Sequence, residues 1–172
     1  MSVAAMSHPA AADPRELRHA LGRFATGVTV ITTLDAAGRP VGLTANSFAA
    51  VSLDPPLVSW SLATRARSLA AFLATGRFAI HILDATQEAL SQRFAAPVED
   101  RFAGLDWETG IGGAPLLRDC LARLECSTHQ AIAAGDHVLF LGAVQRFHYQ
   151  EGAPLVFFAS RYGLPAPDRL AA

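Results

Sequence analysis

The chain has 172 residues, 51% hydrophobic and 17% charged, with a formal net charge of -1. That length makes one domain with a sizeable core; the scattered, balanced charge offers no surface for nucleic acid or an acidic membrane; and no apolar run approaches the roughly 20 residues of a spanning helix. All 14 basic residues are arginine, which excludes a P-loop lysine and a Schiff-base lysine, so any phosphate must be held by arginine, hydroxyls and backbone N–H groups.

Residues 1–12 read as a flexible tail, and 13–172 as a single domain. Asp13-Pro14-Arg15-Glu16 is a helix start, with an Asp cap and Pro at the first helical position. Leu17, Ala20, Leu21 and Phe24 then recur at helical spacing, which predicts an amphipathic helix over 14–24. Residues 28–34, rich in Val, Ile and Thr, and 41–48 read as a hairpin across a turn at 35–40. A strand is predicted over 57–62, a short helix over 67–74 stopped by Gly76, and a strand over 78–83. Asp84 with Gln87 forms a capping box for a helix over 85–94. Residues 95–119 hold two prolines, four glycines and scattered acids, which predicts a long surface loop near a ligand; its Gly110-Ile111-Gly112-Gly113 run follows no strand and is no dinucleotide fingerprint. Strands over 120–131, 137–149 and 155–160 complete the chain.

Helices are short and strands follow one another directly, which predicts a mainly β antiparallel fold, barrel-like rather than βαβ. Cys120 and Cys126, both placed in one strand, stand too far apart along it for a disulfide and read as core packing. With no basic region near the start, a reducing cytoplasm is the expected compartment. The excess of apolar residues points to an oligomer interface. None of the six histidines shows a tight metal spacing, so no metal site is expected; His81 and His129 read as structural.

Thr44, Asn46 and Ser47 place three hydrogen-bonding side chains within four residues among small neighbours. Such a ledge suits a flat, polar-edged heterocycle, although the same composition is common where a strand turns. Gly42-Leu43-Thr44-Ala45-Asn46-Ser47-Phe48 followed by Val51-Ser52-Leu53-Asp54-Pro55-Pro56-Leu57-Val58 resembles the signature of the flavin reductase-like split-barrel family. The resemblance continues through Thr75-Gly76-Arg77-Phe78, Leu90-Ser91-Gln92-Arg93-Phe94, Gly135-Asp136-His137 and Pro154-Leu155-Val156-Phe157-Phe158, and so covers about residues 16–164 in order.

The resemblance implies a six-stranded antiparallel split β-barrel of the FMN-binding type, and NAD(P)H-dependent reduction of FMN or FAD with NADH or NADPH as substrate. It also implies a homodimer and a partner flavin-dependent monooxygenase. Position by position it assigns Thr44, Ala45, Asn46 and Ser47 to the flavin ring edge and ribityl chain, with Ser61 as the next contact. Arg67 and Ser68 are assigned to the phosphate, where an arginine fork and helix N–H groups suit an anion; Ala66 departs from the serine many members carry. Arg93 comes close to the flavin, and His137, Arg161 and Tyr162 are assigned to the nicotinamide, His137 with a catalytic role. The competing implications are a flavin-binding electron carrier and a pyridoxamine-phosphate-oxidase-like flavoprotein, the latter disfavoured by the absence of lysine.

Overall fold

The computed structural model describes residues 13–165, so the tail over 1–12 lies outside the described residues. Asp13 caps helix α1 (Pro14–Leu21), its carboxylate accepting from the Arg15 N–H at 2.8 Å. The helix is shorter than predicted, and none of its residues is buried. Leu17, Leu21 and, beyond it, Phe24 stay exposed, so the apolar stripe exists but is left at the surface among the described residues.

After the short β1 (Thr26–Gly27), β2 (Thr29–Leu34) and β3 (Pro40–Ala45) form the expected hairpin, with Thr29 opposite Ala45. Asp35 holds its turn, accepting from the Ala37 and Arg39 N–H groups. A strand absent from the prediction follows: β4 (Ala49–Leu53) pairs with β5 (Pro56–Ala63) across a tight turn. Helix α2 (Leu69–Thr75) starts two residues later than predicted and ends at Gly76, whose φ of 59° is left-handed, the backbone glycine tolerates best. Then come β6 (Arg77–Ile82), a 3-10 turn held by the predicted Asp84–Gln87 capping box, and helix α3 (Glu88–Ala95).

Residues 95–119 correct the sequence reading. They carry the β7 (Trp107–Thr109) and β8 (Pro115–Leu117) hairpin, and Phe102, Ala114, Leu116 and Leu117 are buried. Side chains of the main sheet satisfy this segment's backbone: Thr32 Oγ1 donates to Pro115 O, Leu117 N donates to His81 Nε2, and Ile111 N donates to Glu125 Oε2. Those partners lie far away in sequence, which is why the segment read as a loop. The last elements are β9 (Ala122–Ala134), β10 (His137–Tyr149), β11 (Val156–Phe158) and β12 (Arg161–Gly163). Cys120 precedes β9 rather than lying in it; both cysteines are buried and free. His129 is the unpaired residue at the register shift between β9 and β10 and is exposed, not packed as expected.

The main sheet is antiparallel throughout, in the order β3-β2-β6-β9-β10-β5-β4. It has seven strands where six were expected, and its ladder does not close on itself. Its edges, β3 and β4, are nevertheless joined by residues 46–48 alone. Four Cα steps reach about 14 Å, whereas six strand spacings in a flat sheet span about 29 Å. The sheet therefore curls until its edges face each other. The core inside the curl shows the same: Ile31 and Ala45 share one apolar cluster with Val58, Trp60 and Leu62 from the far side. Trp60 stacks on Phe140 with ring centroids 4.6 Å apart, and Phe72 and Phe78 meet it edge-on. Alternation along β2 sends Ile31 into this core and Val30 to a second cluster with Leu83, Phe94, Phe102 and Leu117, so β2 is buried on both faces.

Candidate functional site

Residues 46–48 cross from one sheet edge to the other at the opening of the curl, which is the stretch singled out by its polar side chains. Ala45 is buried, whereas Asn46 and Ser47 are exposed. The edge position leaves alternate N–H and C=O groups of β3 outside the ladder, and small side chains leave them approachable.

Two of the three expected ligand-facing hydroxyl and amide groups are committed within the chain. Ser47 Oγ accepts from Ser61 N at 2.9 Å and sits 3.3 Å from Ser61 O, tying the crossing segment to β5. Thr44 Oγ1 donates to Ser91 O at 2.5 Å. These side chains shape the ledge, and Asn46 is the residue of the three left exposed without such a bond among the described residues. Free strand edge, exposed amide and small neighbours together fit a flat ring with polar edges.

On the β5 side the chain passes into the loop carrying Arg65, Arg67 and Ser68. Thr64 donates to Asp136 O through both its N–H, at 2.9 Å, and its hydroxyl, at 3.1 Å, which seats the loop against the β9–β10 turn. His137 lies opposite Ala63 in the β10–β5 register, so the structure brings it beside this loop. Its Nδ1 is 2.7 Å from Asp136 Oδ1, and that hydrogen bond, with the Coulombic pull of His137, holds the Asp136 carboxyl below its usual range. Arg67 is exposed. Ser68 precedes α2 without capping it by its side chain, and Leu69 N and Ala71 N are already taken by Ala66 O and Ser68 O. Fewer helix N–H groups are therefore free for an anion than the sequence implied.

On the α3 side, Tyr162 Oη lies 2.8 Å from Ser91 Oγ, so Thr44, Ser91 and Tyr162 form one connected group. Tyr162 and Arg161 belong to β12 rather than to a C-terminal loop, and Phe157 packs edge-on against the tyrosine ring. Arg93 points to the carbonyl of Ala103, which its guanidinium donates to, and so anchors the segment after α3. Ser91, Thr64 and Asp136 are the residues that sequence reasoning left out of the site. Ser91 and Asp136 stand inside the motifs Leu90-Ser91-Gln92-Arg93-Phe94 and Gly135-Asp136-His137, which was the signal for both, although only Arg93 and His137 were assigned from them. Thr64 and Asp136 act through a backbone carbonyl at a turn. An open cleft of about 520 Å³ between α1 and the turn at Ala159 and Ser160 includes none of the expected site residues.

Comparison with known proteins decides what this arrangement belongs to. Residues 21–164 match the family model described as flavin reductase like domain. The chain belongs to that family. Among similar flavin reductase-like proteins, an FMN reductase (NADH), SmoA, of Agrobacterium fabrum (strain C58 / ATCC 33970) is 45% identical, with 90% of this chain and 88% of the relative covered. The reductase subunit HsaB of a flavin-dependent monooxygenase from Rhodococcus jostii (strain RHA1) is 41% identical, covering 92% and 82%. The NADH:FAD oxidoreductase SgcE6 of Streptomyces globisporus C-1027, solved with NAD and FAD fragments, superposes with a TM-score of 0.86 at 37% identity, over 94% of this chain and 99% of that one. Two further relatives from Rhizobium meliloti (strain 1021), at 54% and 52% identity, are longer, and the chain spans 43% and 59% of them.

Proposed function

We propose that this flavin reductase-like chain uses NADH or NADPH to reduce FMN or FAD and supplies the reduced flavin to a separate flavin-dependent monooxygenase. The observation that carries the reading is the ledge at residues 44–47, set where the two sheet edges meet and flanked by the Arg67–Ser68 loop on one side and by Tyr162 on the other. Family membership supports the activity. The relatives named as an FMN reductase, a monooxygenase reductase subunit and an NADH:FAD oxidoreductase support the cofactors and the partner.

When bound together, the nicotinamide supplies a hydride to flavin N5, and the chain need only hold the two rings in register and exclude other geometries. Ala45, Asn46 and the β3 edge take the ring edge and the ribityl chain, with Thr44, Ser47 and Ser61 keeping the ledge in shape. Arg67 and Ser68 take the phosphate. Arg93 supports the wall formed by α3. His137, its Nδ1 turned to Asp136, presents Nε2 to the nicotinamide carboxamide, and Arg161 and Tyr162 complete that side.

The curl of the main sheet supports reading residues 13–172 as one antiparallel split-barrel domain of the FMN-binding type. Exposed apolar side chains support a homodimer: Leu21, Phe24, Leu53 and Phe147 are 67%, 78%, 94% and 68% exposed. Free, buried Cys120 and Cys126 support the cytoplasm as compartment. No helix among the described residues is long and apolar enough to cross a membrane.

The test is oxidation of NADH and NADPH by the dialysed protein, with and without added FMN or FAD. Oxidation that follows the added flavin is the expected result; no oxidation of either nucleotide by protein that binds flavin would reduce the chain to a carrier. In the same assay Ser47→Ala combined with Arg67→Ala is expected to weaken flavin binding by tenfold or more, since a charge-assisted bond alone contributes about 1.5–3 kcal/mol. An unchanged affinity would remove these residues from the site.

A further inference from the structure

Ser91 lies in the middle of α3 with 0% of its surface exposed. A serine there is poorly suited to a helix, because its hydroxyl competes with the backbone for hydrogen bonds. Its hydroxyl meets Tyr162 Oη at 2.8 Å, and its carbonyl accepts the Thr44 hydroxyl at 2.5 Å. One residue thus touches one wall of the site with its side chain and the other with its main chain. Tyr162 belongs to the β1-β11-β12 sheet and Thr44 to the main sheet, and among the described residues no ladder joins the two. Phe157 packs edge-on against the tyrosine ring, with centroids 5.4 Å apart, and both rings rest on the cluster of Val28, Val30 and Phe94. The hydroxyl end of the ring is held by Ser91, the residue whose carbonyl holds Thr44.

From this geometry we infer that Ser91 is a positioning residue, which sets the Tyr162 ring against the flavin ledge and thereby aligns the nicotinamide for hydride transfer. The inference rests on the function proposed above. Its two arms are separable. Ser91→Ala removes the hydroxyl and leaves the carbonyl that Thr44 uses, so the ledge survives while Tyr162 loses its anchor. Tyr162→Phe cuts the same arm from the other end and keeps the ring.

The experiment compares wild type, Ser91→Ala, Tyr162→Phe and the double variant. It measures flavin Kd by fluorescence quenching, NAD+ Kd by calorimetry on flavin-saturated protein, and kcat and KM for NADH. Each single variant is expected to keep its flavin Kd within about twofold and to lose about tenfold in kcat/KM together with weaker NAD+ binding, the scale of one net hydrogen bond. The double variant is expected to be no worse than either single one, as two ends of one interaction should be. Wild-type kcat/KM in Ser91→Ala, fully additive losses, or a flavin Kd that rises in step with a falling Tm would each overturn the inference. A wild-type protein that oxidises neither nucleotide defeats the functional reading instead, while NAD+ binding across the same variants still decides whether Ser91 positions Tyr162.

Discussion

At the scale of single residues, side chains with chemistry serve mostly to hold the framework in place. His81 is fully buried: Nε2 accepts from Leu117 N at 3.0 Å and Nδ1 pairs with Val30 O at 3.0 Å, so the ring is neutral and links β6 to β2 and β8. Burial pushes its pKa down from 6.5 to about 4. The unfolded chain therefore takes up a proton first, and stability is full above pH 6.5 and lost as pH falls from there towards 4, by about 3 kcal/mol in all. Asp35 and Asp84, held below their ordinary 3.8 chiefly by the N–H groups of Arg39 and Thr86, add their loss only at lower pH. Urea unfolding between pH 7 and 4 checks this: the unfolding free energy should slope across that window in the wild type and flatten in His81→Gln. The strand position of His81 and its structural role could be read from the sequence. Its Leu117 partner could not, because it comes from a stretch that looks like a polar loop. The same applies to Thr44 and Ser47, whose residue types mark a ligand-sized ledge but whose hydroxyls turn to Ser91 and Ser61.

At the scale of elements, local signals placed most strands and caps. The Asp13 cap, the Asp84–Gln87 box and the Gly76 stop all act as their residue types dictate. How α3 sits on β3 depends instead on contact. Gly42 faces Phe94, and a Cβ there would lie 2.6 Å from Phe94 Cε1 and 3.3 Å from Phe102 Cζ. Gly42→Ala should push α3 off the strand at a cost of about 1–3 kcal/mol, lowering Tm by roughly 2–12 °C. Because α3 carries Ser91, flavin Kd should rise with the loss of stability. A Gly42→Ala protein with wild-type Tm and flavin Kd would show that α3 and the ledge are not coupled. β4 was missed because Ala49 to Leu53 is short, exposed and follows β3 almost without a break, so the crossing between sheet edges looked like one strand and its turn.

At the scale of the whole molecule, several large apolar side chains remain exposed. No residue of helix α1 is buried, and Leu53 at the β4 edge is 94% exposed. A homodimer covering such surfaces would sediment at twice 18.2 kDa, about 36 kDa, at micromolar concentration. A species of 18.2 kDa under those conditions would count against the dimer.

The sequence by itself determined what depends on neighbours in the chain: the mainly β class, the hairpin at residues 28–48, the helix caps, and the ordered motifs that mark the flavin reductase-like family. Periodicity, turn chemistry and capping act within a few residues, so they can be read along a line. Tertiary structure alone decided what depends on residues meeting across the fold. It buried the 95–119 segment by lending it Thr32, His81 and Glu125. It curled seven strands until three residues could join the two edges, and it left the face of α1 open. It also set Ser91 between Thr44 and Tyr162, residues 47 and 71 positions away. No local pattern encodes such pairings, because their partners are chosen by the register and curvature of the sheet.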